Sequence, residues 1–144
     1  MGYTNYWKPY KPENDEYGYV PKEFPQELQD KLRKLVRTAK AKGIEFESRI
    51  SAKTVQIKGS AEWLTLTYVK ERSKGPWQGQ RFGIDNWTFC KTCREPYDAV
   101  VKGALMLLEK YNVIESWSFD GNLTEVEFAN AFHLMEDAGL INKE

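Results

Sequence analysis

Histidine and cysteine are scarce in this chain. His133, Cys90 and Cys93 are the only residues of those two types among 144. Three such ligands fall one short of a tetrahedral zinc site, so a zinc centre would need a carboxylate or a second subunit. Two cysteines do not make a disulfide-stapled secreted fold. No Ser/His/Asp signature accompanies the lone histidine, which argues against a hydrolase triad. Net charge is missing too: Lys+Arg and Asp+Glu number 21 each. General nucleic-acid binding is therefore not expected, although a local basic patch stays open. No apolar run approaches the ~20 residues of a membrane span. The opening "MGYTNYWKPYK" lacks the basic-then-apolar order of a signal peptide. A cytoplasmic protein without membrane association is expected, and a homo-oligomer is compatible with the sequence.

What the chain does have is aromatic residues, 14% of the total, and a readable alternation of patterns. Residues 2–7, "GYTNYW", alternate as a short strand. The segment 8–24 holds three of the six prolines, Pro9, Pro12 and Pro21, with Pro25 just beyond, and is long enough for a lid. A helix follows, with Pro25 at its first position, a stripe of Leu28, Leu32, Leu35, Val36 and Ala39, and Gly43 as its stop. Its many Lys and Arg residues read as dipole complementation and solubility. Residues 44–50, 54–58 and 62–69 read as strands, 70–86 as a loop tipped by Trp77, and 87–90 as another strand.

A second helix opens at Pro96 with Glu95 as its cap, and carries Val100, Val101, Ala104, Leu105 and Leu108. Residues 115–120 form a last strand with Trp117 and Phe119 on one face. Thr124-Glu125-Val126-Glu127 is a capping box for a third helix with Val126, Phe128 or Ala129, Phe132 and Met135 as its apolar positions. The order β-α-β-β-β-β-α-β-α predicts one α+β domain over residues 1–144, with three helices on a mostly antiparallel sheet of five to six strands.

The chemistry concentrates in "WTFCKTCREPYD", residues 87–98. Cys90-Lys91-Thr92-Cys93 is a C-x-x-C beside two cations, but it lacks the βαβ context of a thioredoxin-like centre. The turn can instead hold an anion, with Lys91, Thr92 and Arg94 ahead of a helix N-terminus. Ordinary Arg94–Asp98 or Lys91–Glu95 pairs would satisfy the same charges.

Residues Gly2, Tyr3, Thr4, Tyr6 and Trp7, with Phe89, Cys90, Lys91, Thr92, Arg94, Pro96, Tyr97 and Asp98, give the chain a likeness. It resembles a family of small uncharacterised proteins of bacteria and their phages, which begin with a GYTHYW-like strand and carry an FCKTARKPYD-like segment. The chain departs from that pattern at Asn5 (histidine in the family), Cys93 (alanine) and Glu95 (lysine). The resemblance implies no established activity; the family's distribution suggests an accessory role in phage–host conflict.

The expected function is binding of an anionic small ligand such as a nucleotide, with no catalytic group and no cofactor. The expected site joins Tyr3, Thr4, Tyr6 and Trp7 to Lys91, Thr92, Arg94, Tyr97 and Asp98, rings stacking on the guest while the turn holds its anion. One alternative is an inhibitor of a host defence enzyme, binding its host protein partner through Tyr10, Tyr17, Tyr19 and Trp77. Another is a hydrolase or transferase using Asp98 with Lys91 and Arg94.

Overall fold

The computed structural model describes residues 3–9, 23–67, 88–121 and 125–141. Most of the 8–24 segment and all of 70–86 lie outside those residues, and with them Tyr10, Tyr17, Tyr19, Trp77 and Thr124. The chain runs β1 (Thr4–Pro9), α1 (Gln26–Ala41), β2 (Glu47–Ile50), β3 (Thr54–Lys58), β4 (Leu64–Thr67), β5 (Thr88–Lys91), α2 (Asp98–Lys110), β6 (Ile114–Phe119) and α3 (Val126–Asp137). It is an α+β fold, and its described elements follow the order read from the sequence.

Among the described residues the strands form two antiparallel sheets of three, β5-β1-β6 and β2-β3-β4, where the sequence suggested one sheet. The reason lies at Glu62. Its N–H donates to the Lys91 carbonyl at 2.9 Å, as a first rung between the sheets would. The Lys91 N–H is then taken by the Glu62 carboxylate at 2.8 Å. A side chain replaces the next backbone acceptor, so the ladder does not propagate.

Helix α1 buries the predicted stripe, with Leu28, Leu32, Leu35 and Ala39 fully enclosed. It stops where Gly43 takes φ +88°, a conformation that costs glycine little. Helix α2 is buried nearly all round, because it lies on the inner face of the first sheet and also meets α1 and α3. Gly103 permits the close approach: a Cβ there would sit 3.1 Å from Leu35 Cδ2. Each enclosed Leu, Ile or Val contributes about 1.5–3 kcal/mol of transfer free energy, and these residues join in one core cluster.

Helix α3 buries the expected Met135 but turns the other expected positions, Val126, Phe128, Ala129 and Phe132, towards its sides. Ala131, Leu134 and Met135 are its buried residues. Val126 and Phe132 are 67% and 39% exposed. Phe128 stacks on Phe119 of β6 with ring centroids 5.6 Å apart; Phe119 in turn stacks on Trp117 at 5.5 Å, and Phe132 is tilted against Phe128 at 6.4 Å. Among the described residues no helix is long and apolar enough to cross a membrane.

Candidate functional site

The two motifs meet. Strand β1 pairs with β5, setting Thr4, Asn5 and Tyr6 opposite Lys91, Cys90 and Phe89. The Tyr3 carbonyl accepts the Thr92 N–H at 2.9 Å and the Cys93 N–H at 3.3 Å. To close this turn, Cys93 and Arg94 adopt φ of 54° and 60° in succession. A side chain in that region costs roughly 1–2 kcal/mol per residue, and such strain tends to gather at functional sites.

The helix behind the turn begins at Asp98 after an N-cap at Tyr97, not at Pro96 with a Glu95 cap. The Asp98 N–H donates to Glu95 O at 2.8 Å, Ala99 N–H to Pro96 O at 3.3 Å and Val100 N–H to Tyr97 O at 2.9 Å. A tight leading turn therefore consumes amides that a bound anion would need.

Much of the predicted site faces inward. Asp98, 2% exposed, accepts hydrogen bonds on Oδ1 from Thr92 Oγ1 (2.5 Å) and Asn5 Nδ2 (2.7 Å). Lys102 Nζ donates to Asp98 Oδ2 at 2.6 Å and to Asn5 Oδ1 at 3.0 Å. The same ammonium lies 4.3 Å from the Tyr3 ring centroid and 4.7 Å from that of Phe119. Desolvation pulls the Lys102 pKa below its ordinary value, against the opposing pull of Asp98. Tyr3 is 1% exposed, and burial, then the Asp98 charge, push its phenol far above the usual range. Tyr97 is buried and its hydroxyl donates to Glu62 O. Trp7 is buried as well.

Arg94 stays at the surface, its guanidinium 4.2 Å from the Tyr3 ring centroid. Nη1 meets Glu127 at 2.7 Å and Glu125 at 3.4 Å, so the turn is tied to α3. The Arg94–Asp98 pairing considered from the sequence gives way to Arg94–Glu127 and Asp98–Lys102. Asp98, Lys91 and Arg94 do not form one catalytic group, because Asp98 is enclosed and the two cations are exposed.

The exposed part of the motifs lies on the outer face of the first sheet. Side chains alternate across a strand, so Asn5, Trp7 and Cys90 face α2 while Tyr6, Lys8, Phe89 and Lys91 face outward. Phe89 is 55% exposed beside Tyr6. Ser116 and Ser118 of β6 continue this face, opposite Lys8 and Tyr6. The Tyr6 hydroxyl donates to Asp120 Oδ1 at 2.8 Å, which holds the phenol above its ordinary pKa. Thr4 is nearly buried, its N–H 3.1 Å from Asp120 Oδ2. Lys8 is 3.8 Å from Glu115. Lys91 makes no ion pair among the described residues.

The cysteines do not form an activated thiol pair. Cys90 is buried, donates to Glu62 O at 3.3 Å, and has its pKa pushed up to about 12, chiefly by desolvation. A redox centre needs the opposite shift. Among the described residues no group of three His, Cys, Asp or Glu side chains could hold a metal ion.

Sequence reasoning missed Lys102, Phe89 and Glu62. Lys102 had a usable signal: it stands four residues after Asp98 inside an otherwise apolar helix. Compared with protein-family models, with curated proteins and with solved structures, the chain matches none.

Proposed function

We propose that the protein binds an anionic ligand carrying a planar ring, a nucleotide in the first instance, on the outer face of the β5-β1-β6 sheet. One observation carries this reading: Tyr6 and Phe89 are direct cross-strand partners on an outward face, with Lys91 two residues beyond Phe89 on the same side. Cross-strand partners have Cβ atoms about 4.5–5.5 Å apart, so Tyr6 and Phe89 leave the sheet side by side, and the exposed Phe89 ring offers a face to a base. Stacking of a base on such a ring is worth about 1–3 kcal/mol. Lys91, which has no ion pair among the described residues, supplies a cation for a phosphate, and Ser116 and Ser118 supply hydroxyl groups. The inward-facing Tyr3, Trp7, Thr92, Tyr97 and Asp98 then brace the platform from behind and do not touch the guest.

The test is titration of nucleoside monophosphates against the full chain, followed by thermal shift and calorimetry. Phe89→Ala and Lys91→Glu change exposed side chains, so the fold should survive both. Each should weaken binding at least fivefold. Unchanged affinity in both variants, or no binding to the parent chain, would reject the platform.

A further inference from the structure

A second concavity lies away from the sheet platform, where the end of α1, the start of α2 and one side of α3 converge. It measures about 380 Å³. Its apolar lining comes from Ile44, Pro96, Ala99 and Leu134. Helix α3 contributes Asn130, His133, Leu134 and Asp137, which share one helical face by their spacing of three and four residues. Across from that stripe stand Lys42, at the end of α1, and Arg94.

The charges in the cleft are not equivalent. Lys42 Nζ is held by Asp137 Oδ2 at 2.5 Å, so that cation is already neutralised within the cleft. Among the described residues Arg94 is hydrogen-bonded through one nitrogen only, since both Glu125 and Glu127 meet Nη1, and one face of its guanidinium lies over the Tyr3 ring. Among the described residues nothing accepts from Nε or Nη2. Those two donors form the second fork of a guanidinium, matched in spacing to the two oxygens of a carboxylate. Asn130 is exposed and has no side-chain partner among the described residues, which leaves an amide donor and acceptor on the wall.

We infer that this cleft binds a small organic carboxylate with an apolar body. The carboxylate engages the Nε–Nη2 edge of Arg94, and the body lies on Ile44, Pro96, Ala99 and Leu134. A single negative charge is the most the site suits, because Arg94 already faces Glu125 and Glu127 and offers free hydrogen-bond donors, not unpaired charge. A dianionic phosphate ester meets repulsion from Asp137 and from the acids on the far side of Arg94. The volume falls near the lower end of the range for small-molecule sites, roughly 300–1,000 Å³, which limits the guest to a compact one. This site shares no side chain with the sheet platform, so either can fail without the other.

Benzoate, phenyl phosphate and acetate serve as probes, titrated into isotopically labelled full-length protein and followed by amide chemical shifts. Benzoate should saturate and move the amides of residues 42–44, 94–99 and 130–137. Phenyl phosphate should bind at least fivefold more weakly, because of its second charge, and acetate at least tenfold more weakly for want of a body. Asn130→Asp alters an exposed side chain and places a carboxylate in the cleft; it should weaken benzoate at least tenfold with unchanged melting temperature. Arg94→Gln should weaken benzoate by as much, and the stability it loses with the Glu127 tie is read separately by urea unfolding. The proposal is overturned if benzoate shifts amides elsewhere or none at all. It also fails if Asn130→Asp binds as the parent does, or if phenyl phosphate or acetate equals benzoate.

Discussion

Lys102 and Asp98 stand one helical turn apart on α2 and hold each other at 2.6 Å, with neither side chain more than 3% exposed. Taking both charges out of water is costly. The pair persists because Asn5 bonds to both members, Thr92 adds a hydroxyl to the carboxylate, and two aromatic rings face the ammonium. This cluster fastens the first strand to the turn and to the central helix.

Removing one partner should leave a stranded interior charge. Lys102→Met or Asp98→Asn is expected to cost about 3–5 kcal/mol in urea unfolding. The double variant Asp98→Leu/Lys102→Met should recover a substantial part of that loss. If the double variant were as unstable as the sum of the singles, the pair would not be the unit described.

The two cysteines should label at very different rates. Cys93 is exposed, whereas Cys90 is buried with its thiol proton held up to about 12. At pH 8, in native buffer, a thiol reagent should modify one site per chain, mapped by mass spectrometry to Cys93. Cys90 should react only after unfolding. Two fast equivalents would contradict this environment.

Backbone strain at the turn is open to a direct test. Cys93 has a positive φ that glycine adopts without penalty. Cys93→Gly should leave stability unchanged or raise it by up to about 1 kcal/mol, strain relief being partly offset by added entropy of the unfolded chain. A loss above about 1 kcal/mol would mean that the thiol itself contributes to the fold.

The Arg94–Glu127 tie predicts an acid-side dependence. Burial raises the Glu127 pKa, but its backbone hydrogen bond and Arg94 outweigh that, and the folded value lies below the ordinary 4.5. The stabilisation is thus present above the unfolded value and lost as pH falls through the folded one. Being near the surface and screened by solvent, the pair should contribute only a small stabilisation. Glu127→Gln should therefore lower the melting temperature slightly at pH 7 and hardly at all at pH 3. Equal losses at both pH values would remove the electrostatic account.

Gly59 has little freedom to change. A Cβ added there would run into the Tyr97 ring, whose hydroxyl is anchored on Glu62 O. Gly59→Ala should cost about 1–3 kcal/mol, the usual range for overpacking a filled interior. Gly43→Ala, where the site has room but φ is +88°, tests conformation alone and provides the comparison.

The chain's own pattern determined the order of elements, the buried stripe of α1 and the deep burial of α2. Periodicity, proline and glycine act over a few residues, and Leu28, Leu32, Leu35 and Ala39 need only one helix to line up. The proximity of the two motifs entered only with the family resemblance, as the condition for one shared site; β1 does pair with β5. Tertiary structure alone decided which faces those motifs present. Thr92 and Asp98 look like surface chemistry in a basic turn until Lys102 arrives from the next turn of the helix and Asn5 from across the sheet. The aromatic positions of α3 look like core until Ala131 and Leu134 join the expected Met135 against α2. Both outcomes depend on partners distant in sequence, and burial is settled by which surfaces compete for the same space, a competition that no local pattern records.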